Sequence, residues 1–584
     1  MTVRYDAVVL AGGRARRLSG ADKPAALVGG RRLLDVVLEA VDGAAATVVV
    51  GPDRQLPAGV LHTREDPPYG GPAPAVAAGL AALDAARTAA PPALVAVLAG
   101  DLPDLTAGAV ETLLSHAESS TAPVVLAADE SGRPQYLLSV WRTEVLRAAL
   151  QRRDGAAIAP LIPPGAAVLL LTGTADVDTE DELTQARRRH RPGRLDPGAA
   201  RRRLAAALDP VPSSEALLAG ALGAALAESL CAATDFPPFD ASAMDGYAVA
   251  GDGPWALVDA PRAAGHLHSP PLAPGTAAVI ATGAALPGGA DRVIRHEEIA
   301  VDGELLRETG SGRDDTRRRG SAWTAGTELA PAGTVVDATV VSVARSAGVA
   351  AAAVRGPLQA VLYTSGDEIT ADATTEPGPG QVPDTASGPV AALLTELGVR
   401  VRHGGHLTDT AADFADALGQ VPDATAGPAA ETPDLIVVIG ATGHGIADRL
   451  RTALDTADAE LIVDGITMRP GGSLLAARLP DGTAIIGLGG NPLAAVAGAA
   501  LIAPTVVAAR TGAAPRAAES IDVAGVENLT LPNRWRVLPV EPDGHGRWQA
   551  TAGRGTGHLA SAVGFRGLAL IPPAGSDAAV ERLR

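Results

Sequence analysis

Cysteine is nearly absent from this sequence, with Cys231 alone among 584 residues. A single cysteine excludes an intramolecular disulfide and any zinc site built on paired cysteines, and it suits a reducing compartment. We interpret Cys231 as a small buried hydrophobic residue. Aromatic residues are scarce as well, at 2%, so the cores should consist of Val, Leu, Ile and Ala.

Positive charge is in deficit, because 48 Lys and Arg residues face 66 Asp and Glu residues, for a formal net charge of -18. Binding to nucleic acid needs a concentrated basic face, so we expect no nucleic-acid partner, although nucleotides as small ligands stay open. Long apolar runs are lacking too, since Pro504 interrupts the Ala-rich run after Asn491. The first ten residues do not resemble a signal peptide. We therefore expect a cytoplasmic protein without a membrane partner.

The length exceeds what one hydrophobic core supports and predicts about three to five domains. The predicted fold class is multidomain α/β. We expect a Rossmann-like domain at 1–189, a basic Pro/Gly linker at 190–203, an α plus β region with a β insertion at 204–356, a second α/β domain at 357–515 and a small β domain at 516–584.

Local patterns support this division. In the first domain, β-branched runs alternate with Ala/Leu-rich stretches, which is typical of a mainly parallel sheet. The predicted strands are Ala7 to Leu10, Thr47 to Val50, Leu94 to Leu98 and Val124 to Ala127. The later regions predict a helix from Ser213 to Leu230, buried strands at Leu358 to Tyr363 and Leu435 to Ile439, and a helix from Leu493 to Val507.

Two motifs in the first domain carry chemistry. The stretch AVVLAGG places Gly12 and Gly13 directly after the first strand, and Lys23 follows in a basic segment. Glycines let backbone amides approach a nucleotide, and a lysine can pair with phosphates. The second motif, AGDLPDL, puts Asp101 at the carboxyl end of a strand, where α/β sheets bind ligands and a carboxylate can hold magnesium. A plain glycine turn and a helix-capping aspartate are the alternatives.

Together LAGG, the turn ending in DK and GDLP resemble the molybdenum cofactor guanylyltransferase family over residues 1 to 190. The resemblance implies a nucleotide site formed by Leu10, Ala11, Gly12, Gly13 and Asp66, with Lys23 on the phosphates and Asp101 as catalytic magnesium ligand. It further implies GTP as substrate, with CTP left open, and places DVDTEDEL, from Asp176 to Leu183, near the substrate side. Gly51 stands where the family commonly has an asparagine, and Tyr136 where proline is usual.

The second half carries a longer motif, DFPPFDASAMDGYAV at 235–249, followed by TSGDEI at 364–369, GATGHGIAD at 440–448, RPGGS at 469–473 and GLGGNPLAA at 487–495. In this order they resemble the molybdopterin molybdenumtransferases, the MoeA and gephyrin E-domain family, over 204 to 584. The resemblance implies molybdopterin and molybdate as substrates, Mg²⁺ as cofactor and a homodimer formed through this module. The implied site consists of Thr364, Ser365, Gly366, Gly440 and Gly445 around the pterin, with Asp245, Glu368 and Asp448 as catalytic groups and Asp245 and Glu368 as metal ligands.

This half departs from the family pattern at several charged positions. Ser321 and Ala322 follow RRRG where an acidic pair is usual, and Gly472 replaces a lysine. Gly443 replaces a serine, and Gly489 replaces a proline. A site with fewer charges balances metal and phosphate less well.

Three hypotheses follow. The first is a bifunctional enzyme that inserts molybdate into adenylylated molybdopterin and then transfers a guanylyl group with release of pyrophosphate. The second is an active nucleotidyltransferase fused to a weak or non-catalytic molybdopterin-binding scaffold that gathers other cofactor-biosynthesis proteins. The third, a sugar-nucleotide pyrophosphorylase with an unrelated tail, accounts only for LAGG and GDLP.

Overall fold

The structure, a computed structural model, describes residues 3–583 except 13–21, 30, 88, 130, 153–154, 192, 259–260, 262, 266–269, 371–375, 420–431, 444–448 and 551–557. Three predicted site residues, Gly13, Gly445 and Asp448, therefore lie outside the described residues.

The N-terminal unit is a seven-stranded sheet between two layers of helices. In spatial order its strands are Leu61–Thr63, Thr47–Val50, Tyr5–Leu10, Leu94–Ala99, Pro134–Arg142, Val124–Ala128 and Ala167–Leu170. The helices are Leu33–Ala40, Pro72–Ala85, Ala107–Ser119, Thr143–Gln151 and Glu180–Arg189, with 3-10 turns at Lys23–Ala25 and Ala159–Leu161 and a hairpin of Leu27–Val28 with Arg31–Arg32. Only Pro134–Arg142 runs antiparallel to its neighbours within this sheet, so the predicted mainly parallel sheet is confirmed.

The second unit is rich in short strands. They are Ser214–Leu217, Ala225–Leu226, Leu230–Cys231, Ala241–Ser242, Gly246–Ala250, Trp255–Leu257, Thr276–Ile280, Arg292–Arg295, Ile299–Asp302, Leu305–Glu308, Thr316–Arg317, Glu328–Ala330 and Ala351–Arg355. Six of them form one sheet, which corresponds to the predicted β insertion. The helix is Ala338–Ser346, with 3-10 turns at Leu218–Gly220 and His296–Glu298.

The prediction of a helix from Ser213 to Leu230 is wrong. Ser214–Leu217 and Ala225–Leu226 both pair antiparallel with Ala351–Arg355, because tertiary pairing overrides the helix propensity of Ala and Leu. Gly223 has a φ of +87°, and a Cβ there would lie 2.3 Å from the carbonyl oxygen of Gly398. The interpretation of Cys231 as buried is also wrong, because alternation along its strand turns Leu230 inward and leaves Cys231 exposed.

The segment predicted as a linker is helical in its second half. Pro197–Ala207 forms a helix whose first turn is capped by the Asp196 carboxylate, which accepts a hydrogen bond from the Ala199 amide at 2.9 Å. Ala200 and Leu204 are fully buried against the core of the next unit. The connection without a helix is therefore confined to 190–196; the domain boundaries themselves stay predictions.

The third unit is a six-stranded sheet ordered Arg400–Leu407, Gln359–Ser365, Leu435–Ile439, Ala484–Leu488, Leu475–Arg478 and Glu460–Asp464. Its helices are Ser387–Glu396, Ala411–Ala417, Arg449–Thr456 and Pro492–Thr511, and a small pair joins Ile369–Thr370 to Val382–Pro383. The strands and the helix that the sequence predicts for this region are confirmed, as is its α/β class.

Helix Pro492–Thr511 is long and apolar enough to pass a test for a membrane span, and 72% of the tested window is buried inside the protein. It continues through Pro504, as the predicted helix from Leu493 to Val507 requires. Its position explains both facts, because it is the central core helix that packs on the six-stranded sheet and on Pro197–Ala207.

The C-terminal unit is a small sheet, as predicted. Its strands are Glu519–Ser520, Trp535–Pro542, Trp548–Ala550, Gly567–Ile571 and Glu581–Arg582, joined by Met468–Arg469 from the preceding unit, with 3-10 turns at Val526–Asn528 and Ala560–Ala562.

Candidate active sites

The first candidate site lies where parallel strands of the N-terminal sheet end together. The Ala11 amide donates to the Val50 carbonyl at 2.8 Å, and the Gly100 amide donates to the Leu10 carbonyl at 2.9 Å. A Cβ on Gly51 would lie 2.6 Å from the Ala11 carbonyl oxygen. The close approach of these backbones therefore demands glycine at position 51, which explains the departure from asparagine.

Lys23 and Asp101 meet at this edge, as the two motifs predict for a common site. The Lys23 ammonium lies 2.6 Å from the Asp101 carboxylate and 2.7 Å from the Asp178 carboxylate. Burial raises the pKa of Asp101, although Lys23 acts in the opposite direction. Burial lowers the pKa of Lys23, but the two carboxylates outweigh it and leave that pKa raised. The edge thus holds a charged lysine between Asp101, which is largely buried, and Asp178, which is exposed.

Besides Asp101, the acidic residues Asp176 and Asp178 belong to this edge, and neither was among the residues predicted for catalysis. The Val177 amide donates to the Asp101 carbonyl at 3.2 Å, so the loop before helix Glu180–Arg189 lies on the end of strand Leu94–Ala99. Burial, followed by the negative charge of Asp178, raises the pKa of Asp176. The acidic run of DVDTEDEL was the available signal.

The part of the edge that the resemblance predicts to bind the nucleotide is formed by Gly12 and the loop after Leu61–Thr63. Asp66 is exposed, whereas its neighbour Glu65 is buried. The Glu65 carboxylate accepts a hydrogen bond from the Tyr69 amide at 2.9 Å and would lie 4.0 Å from a Cβ on Gly12. The structure therefore brings Glu65, which the sequence did not single out, to the glycine turn.

The second candidate site lies at the carboxyl edge of the six-stranded sheet. The Ser365 hydroxyl donates to the Ile439 carbonyl at 3.2 Å, and the Gly440 amide donates to the Leu488 carbonyl at 2.9 Å. A Cβ on Gly440 would lie 2.5 Å from the Ser365 hydroxyl oxygen. The starts of TSGDEI, GATG and GLGGNP are thus packed together, as the resemblance implies.

Acidic groups project from the same edge. Gly366 has a φ of +115°, and a Cβ there would lie 2.7 Å from the Glu368 carboxylate, so Glu368 folds back over its own turn. The Asp409 amide donates to the Asp367 carboxylate at 3.3 Å. Burial, then the charges of Asp367 and Glu368, raise the pKa of Asp409. On the neighbouring strand, His406 contacts the Thr364 hydroxyl at 3.0 Å.

A buried ion pair supports the glycine-rich loop after Ile439 through hydrogen bonds to its backbone carbonyls. Arg451 is 1% exposed and lies 2.7 Å from the Asp464 carboxylate. The same guanidinium donates to the carbonyls of Thr442, at 3.0 Å, and Gly443, at 3.3 Å. Because these bonds use backbone carbonyls, the replacement of serine by Gly443 leaves this support intact.

Asp245 stands apart from these groups. Its carboxylate accepts hydrogen bonds from the Thr282 amide at 2.7 Å and the Thr282 hydroxyl at 2.9 Å, and these bonds lower its pKa. Of the hydrogen bonds among the described residues, none joins Asp245 to Glu368. Within the described ranges, His, Cys, Asp and Glu side chains also form no complete group of three or more suited to a metal ion.

Comparisons with known proteins agree with this division. Residues 7–162 match the MobA-like NTP transferase domain, 195–348 the MoeA N-terminal region (domain I and II), and 361–508 the probable molybdopterin binding domain. Among solved structures, the molybdopterin biosynthesis MoeA protein from Pyrococcus horikosii superposes with a TM-score of 0.51 at 22% identity, covering 67% of this chain and 100% of that one. This likeness shows the fold of the second half.

Relatives of curated function carry the assignment further. A molybdopterin molybdenumtransferase of Nostoc sp. is 30% identical over 286 residues, which are 47% of this chain and 63% of the Nostoc protein. Molybdopterin molybdenumtransferase 2 of Mycobacterium tuberculosis is 32% identical over 295 residues, which are 48% of this chain and 70% of that protein. These matches rule against an unrelated tail. The chain therefore belongs to the molybdopterin molybdenumtransferase family of molybdenum cofactor biosynthesis, and it carries a MobA-like nucleotidyltransferase domain ahead of that module.

Proposed function

We propose that the N-terminal site transfers a guanylyl group from GTP to the molybdenum cofactor. The observation that carries this proposal is the cluster of Lys23, Asp101 and Asp178 at the carboxyl edge of the sheet. In the transfer, a phosphate oxygen of the pterin forms a bond to the α-phosphorus of GTP, and the bond to the bridging oxygen breaks as pyrophosphate leaves. Lys23 neutralises part of the phosphate charge.

The donors at this site fit a magnesium ion. One carboxylate oxygen of Asp101 is buried and has no hydrogen-bond partner in the part of the chain that the structure describes. Mg²⁺ commonly takes one or two protein carboxylates and fills its other positions with water and substrate phosphates, so a complete protein cage is unnecessary. When bound, Mg²⁺ would supply charge neutralisation on the phosphates. Asp101 would hold it, with Asp176 and Asp178 beside it.

We propose that the second site binds molybdopterin and inserts molybdate. Backbone amides of the TSGDEI and GATG turns offer phosphate contacts that need no particular side chain. Asp367, Glu368 and Asp409 concentrate negative charge at the same edge, which favours a divalent cation there. Asp245 belongs to another part of the chain and serves this site only if a second copy of the chain or a domain movement delivers it. We propose that a second copy delivers it, in a homodimer.

The competing proposal is a scaffold that binds pterin without inserting metal. The exposed Ser321 and Ala322 favour it, because they bring no acidic groups next to the loop that contains Asp245. The Phe236 carbonyl accepts a hydrogen bond from the Ala322 amide at 3.0 Å, so the two segments are in contact although the charges are missing.

The deciding experiment incubates the purified protein with molybdopterin in its free and adenylylated forms, molybdate, magnesium and either GTP or CTP, and identifies the products by mass. A guanylylated cofactor together with pyrophosphate supports the first proposal. A cytidylylated cofactor would show that the substrate is CTP and not GTP. Metal incorporation without added nucleotide supports insertion at the second site. Pterin binding without metal incorporation supports the scaffold.

Variants assign each product to its site. Asp101→Asn should lower pyrophosphate release by about 100-fold or more, the scale of a lost metal ligand. Asp42→Asn is the matched control, because Asp42 is exposed and follows helix Leu33–Ala40 at the opposite edge of the sheet. Near-normal release by Asp101→Asn would remove Asp101 from the mechanism. For the second site, Glu368→Gln should slow molybdenum insertion while the exposed Glu304→Gln leaves it unchanged.

A further inference from the structure

The side chain of Arg194 lies against two glycines of the molybdopterin-binding unit, Gly465 and Gly472. Gly472 stands where the family resemblance expects lysine, and the atom Nη1 of Arg194 would lie 3.6 Å from a Cβ built on Gly472. The stem of the same side chain lies over Gly465, where a Cβ would be 3.0 Å from Cγ of Arg194. Two glycines thus accommodate one arginine from the interdomain connection.

The backbone fixes Arg194 in this place. The Leu195 amide donates to the Gly465 carbonyl at 3.1 Å, and the Thr467 amide donates to the Leu195 carbonyl at 2.8 Å. Leu195 also forms a parallel bridge with Ile466. These bonds hold the residue next to Arg194 against the loop that precedes RPGGS, so the placement of the arginine does not depend on its flexible side chain alone.

The loop beside Arg194 reaches the second site. Ser473, the residue after Gly472, lies with its hydroxyl 3.1 Å from the Thr442 hydroxyl in the glycine-rich GATG turn. A Cβ on Gly489 would lie 3.4 Å from the same Ser473 hydroxyl oxygen. Gly472, which lies against Arg194, is therefore the direct neighbour of Ser473, the residue at which the GATG and GLGGNP turns meet.

The guanidinium of Arg194 is available for an anion. Arg194 is exposed, and within the described ranges no carboxylate forms an ion pair with it. A lysine at 472 cannot simply be restored in this backbone, because its Cβ would lie 2.8 Å from the Met468 carbonyl oxygen. Arginine also suits phosphate, since its planar group donates two parallel hydrogen bonds.

We infer that Arg194 acts as a phosphate-binding residue of the second site and replaces from the connecting segment the cation missing at position 472. The inference rests on the proposed binding of molybdopterin, whose phosphate is the anion concerned. Arg194 lies one residue before the region 195–348 that matches the MoeA N-terminal region, so the substitute belongs to the joint between the two halves of this chain.

The test measures molybdopterin binding to the full chain by calorimetric titration at two salt concentrations. Arg194→Ala should weaken binding roughly tenfold, the scale of a charged hydrogen bond, and should reduce the loss of affinity on adding salt. Arg194→Lys should recover most of the affinity, and Arg194→Glu should weaken binding more than alanine does. Arg203→Ala, which removes the same charge from an exposed position on the neighbouring helix, should bind like the unaltered chain.

The outcomes separate the inference from the function on which it rests. If the unaltered chain binds molybdopterin and Arg194→Ala binds equally well, the role of Arg194 is refuted while pterin binding stands. If the unaltered chain binds no molybdopterin, both fall. Equal losses in Arg194→Ala and Arg203→Ala would also overturn the inference, because they would show a general effect of net charge. Unchanged thermal unfolding of Arg194→Ala is expected, since the side chain is exposed.

Discussion

At the scale of single residues, the burial that places Asp101 in the candidate site also lowers the stability of the fold. Burial raises the pKa of its carboxyl in spite of Lys23. The folded chain therefore holds this proton more tightly than the unfolded chain does, and the contribution of Asp101 to stability falls as the pH rises from below the ordinary value through the raised one. At neutral pH Asp101 therefore contributes less to stability than it does at low pH.

This argument predicts that Asp101→Asn raises the free energy of unfolding at pH 7 while it lowers the rate of nucleotidyl transfer by about 100-fold or more. The stabilisation should disappear below the ordinary aspartate pKa, where the native carboxyl is itself neutral. Denaturant unfolding at pH 7 and at about pH 3.5 measures both points. A variant that is less stable than the parent at pH 7 would show that the ion pair with Lys23 outweighs burial.

The candidate site residues were easier to predict from the sequence than the residues that contact them in the fold. LAGG and GDLP led to Lys23 and Asp101 because strand ends in parallel sheets collect ligand-binding groups. Contacts between distant segments, such as Lys23 with Asp178 and Arg194 with Gly472, depend on how loops return to the sheet. Periodicity and composition carry no information about that return.

At the scale of elements, the glycine-rich loop of the second site depends on helix Arg449–Thr456. Removing one partner of a buried ion pair strands the other charge, which typically costs about 3–5 kcal/mol. We predict this loss for Arg451→Met, because Asp464 is 8% exposed. Pterin affinity should fall as well, since the carbonyls of Thr442 and Gly443 lose their donor.

A double variant separates these two effects. Arg451→Met with Asp464→Leu removes both charges and should recover much of the stability measured by denaturant unfolding. Pterin binding should stay weak, because the loop carbonyls still lack the guanidinium. Full recovery of binding in the double variant would show that the ion pair supports the fold and does not position the loop.

The helix Pro197–Ala207 gives a second prediction at this scale. Leu204→Ala should destabilise the C-terminal half by about 2–5 kcal/mol, because Leu204 is fully buried in its core. Arg203→Ala serves as the control, because Arg203 is exposed and lies in the same helix, one residue before Leu204. Equal unfolding curves for the two variants would mean that this helix is peripheral to the core.

Elements were predicted well where local sequence and tertiary packing agree. Buried strands such as Thr47–Val50 and Leu435–Ile439 are β-branched runs enclosed by helices, and both were predicted with their observed bounds. The Ala/Leu-rich segment 213–230 was predicted incorrectly, and the basic segment 197–203, interpreted as part of the linker, is helical, because partners decide both conformations. The first pairs with Ala351–Arg355, and the second packs under Pro492–Thr511.

At the scale of the whole molecule, the two halves are fastened by charges on either side of their junction. Arg187 pairs with Asp458, and Arg191 lies 2.9 Å from the Asp455 carboxylate. Arg187 also donates to the Leu27 carbonyl at 2.9 Å, so this one side chain contacts both halves. The connecting segment is thus docked on the molybdopterin-binding unit at its two ends.

The last prediction concerns where this junction opens. Trypsin should cleave first after Arg194, between the helices Glu180–Arg189 and Pro197–Ala207, because the residue after Arg191 is proline, which blocks tryptic cleavage there. It should spare Arg201, Arg202 and Arg203, whose backbone is helical. Added salt should speed this cleavage, because screening weakens the ion pairs of the junction, in which Asp458 is half-exposed. Arg187→Ala with Arg191→Ala should speed it at low salt. The two fragments, identified by mass, should then each unfold in a cooperative transition. Initial cleavage within 201–203, or inside either half, would place the boundary elsewhere.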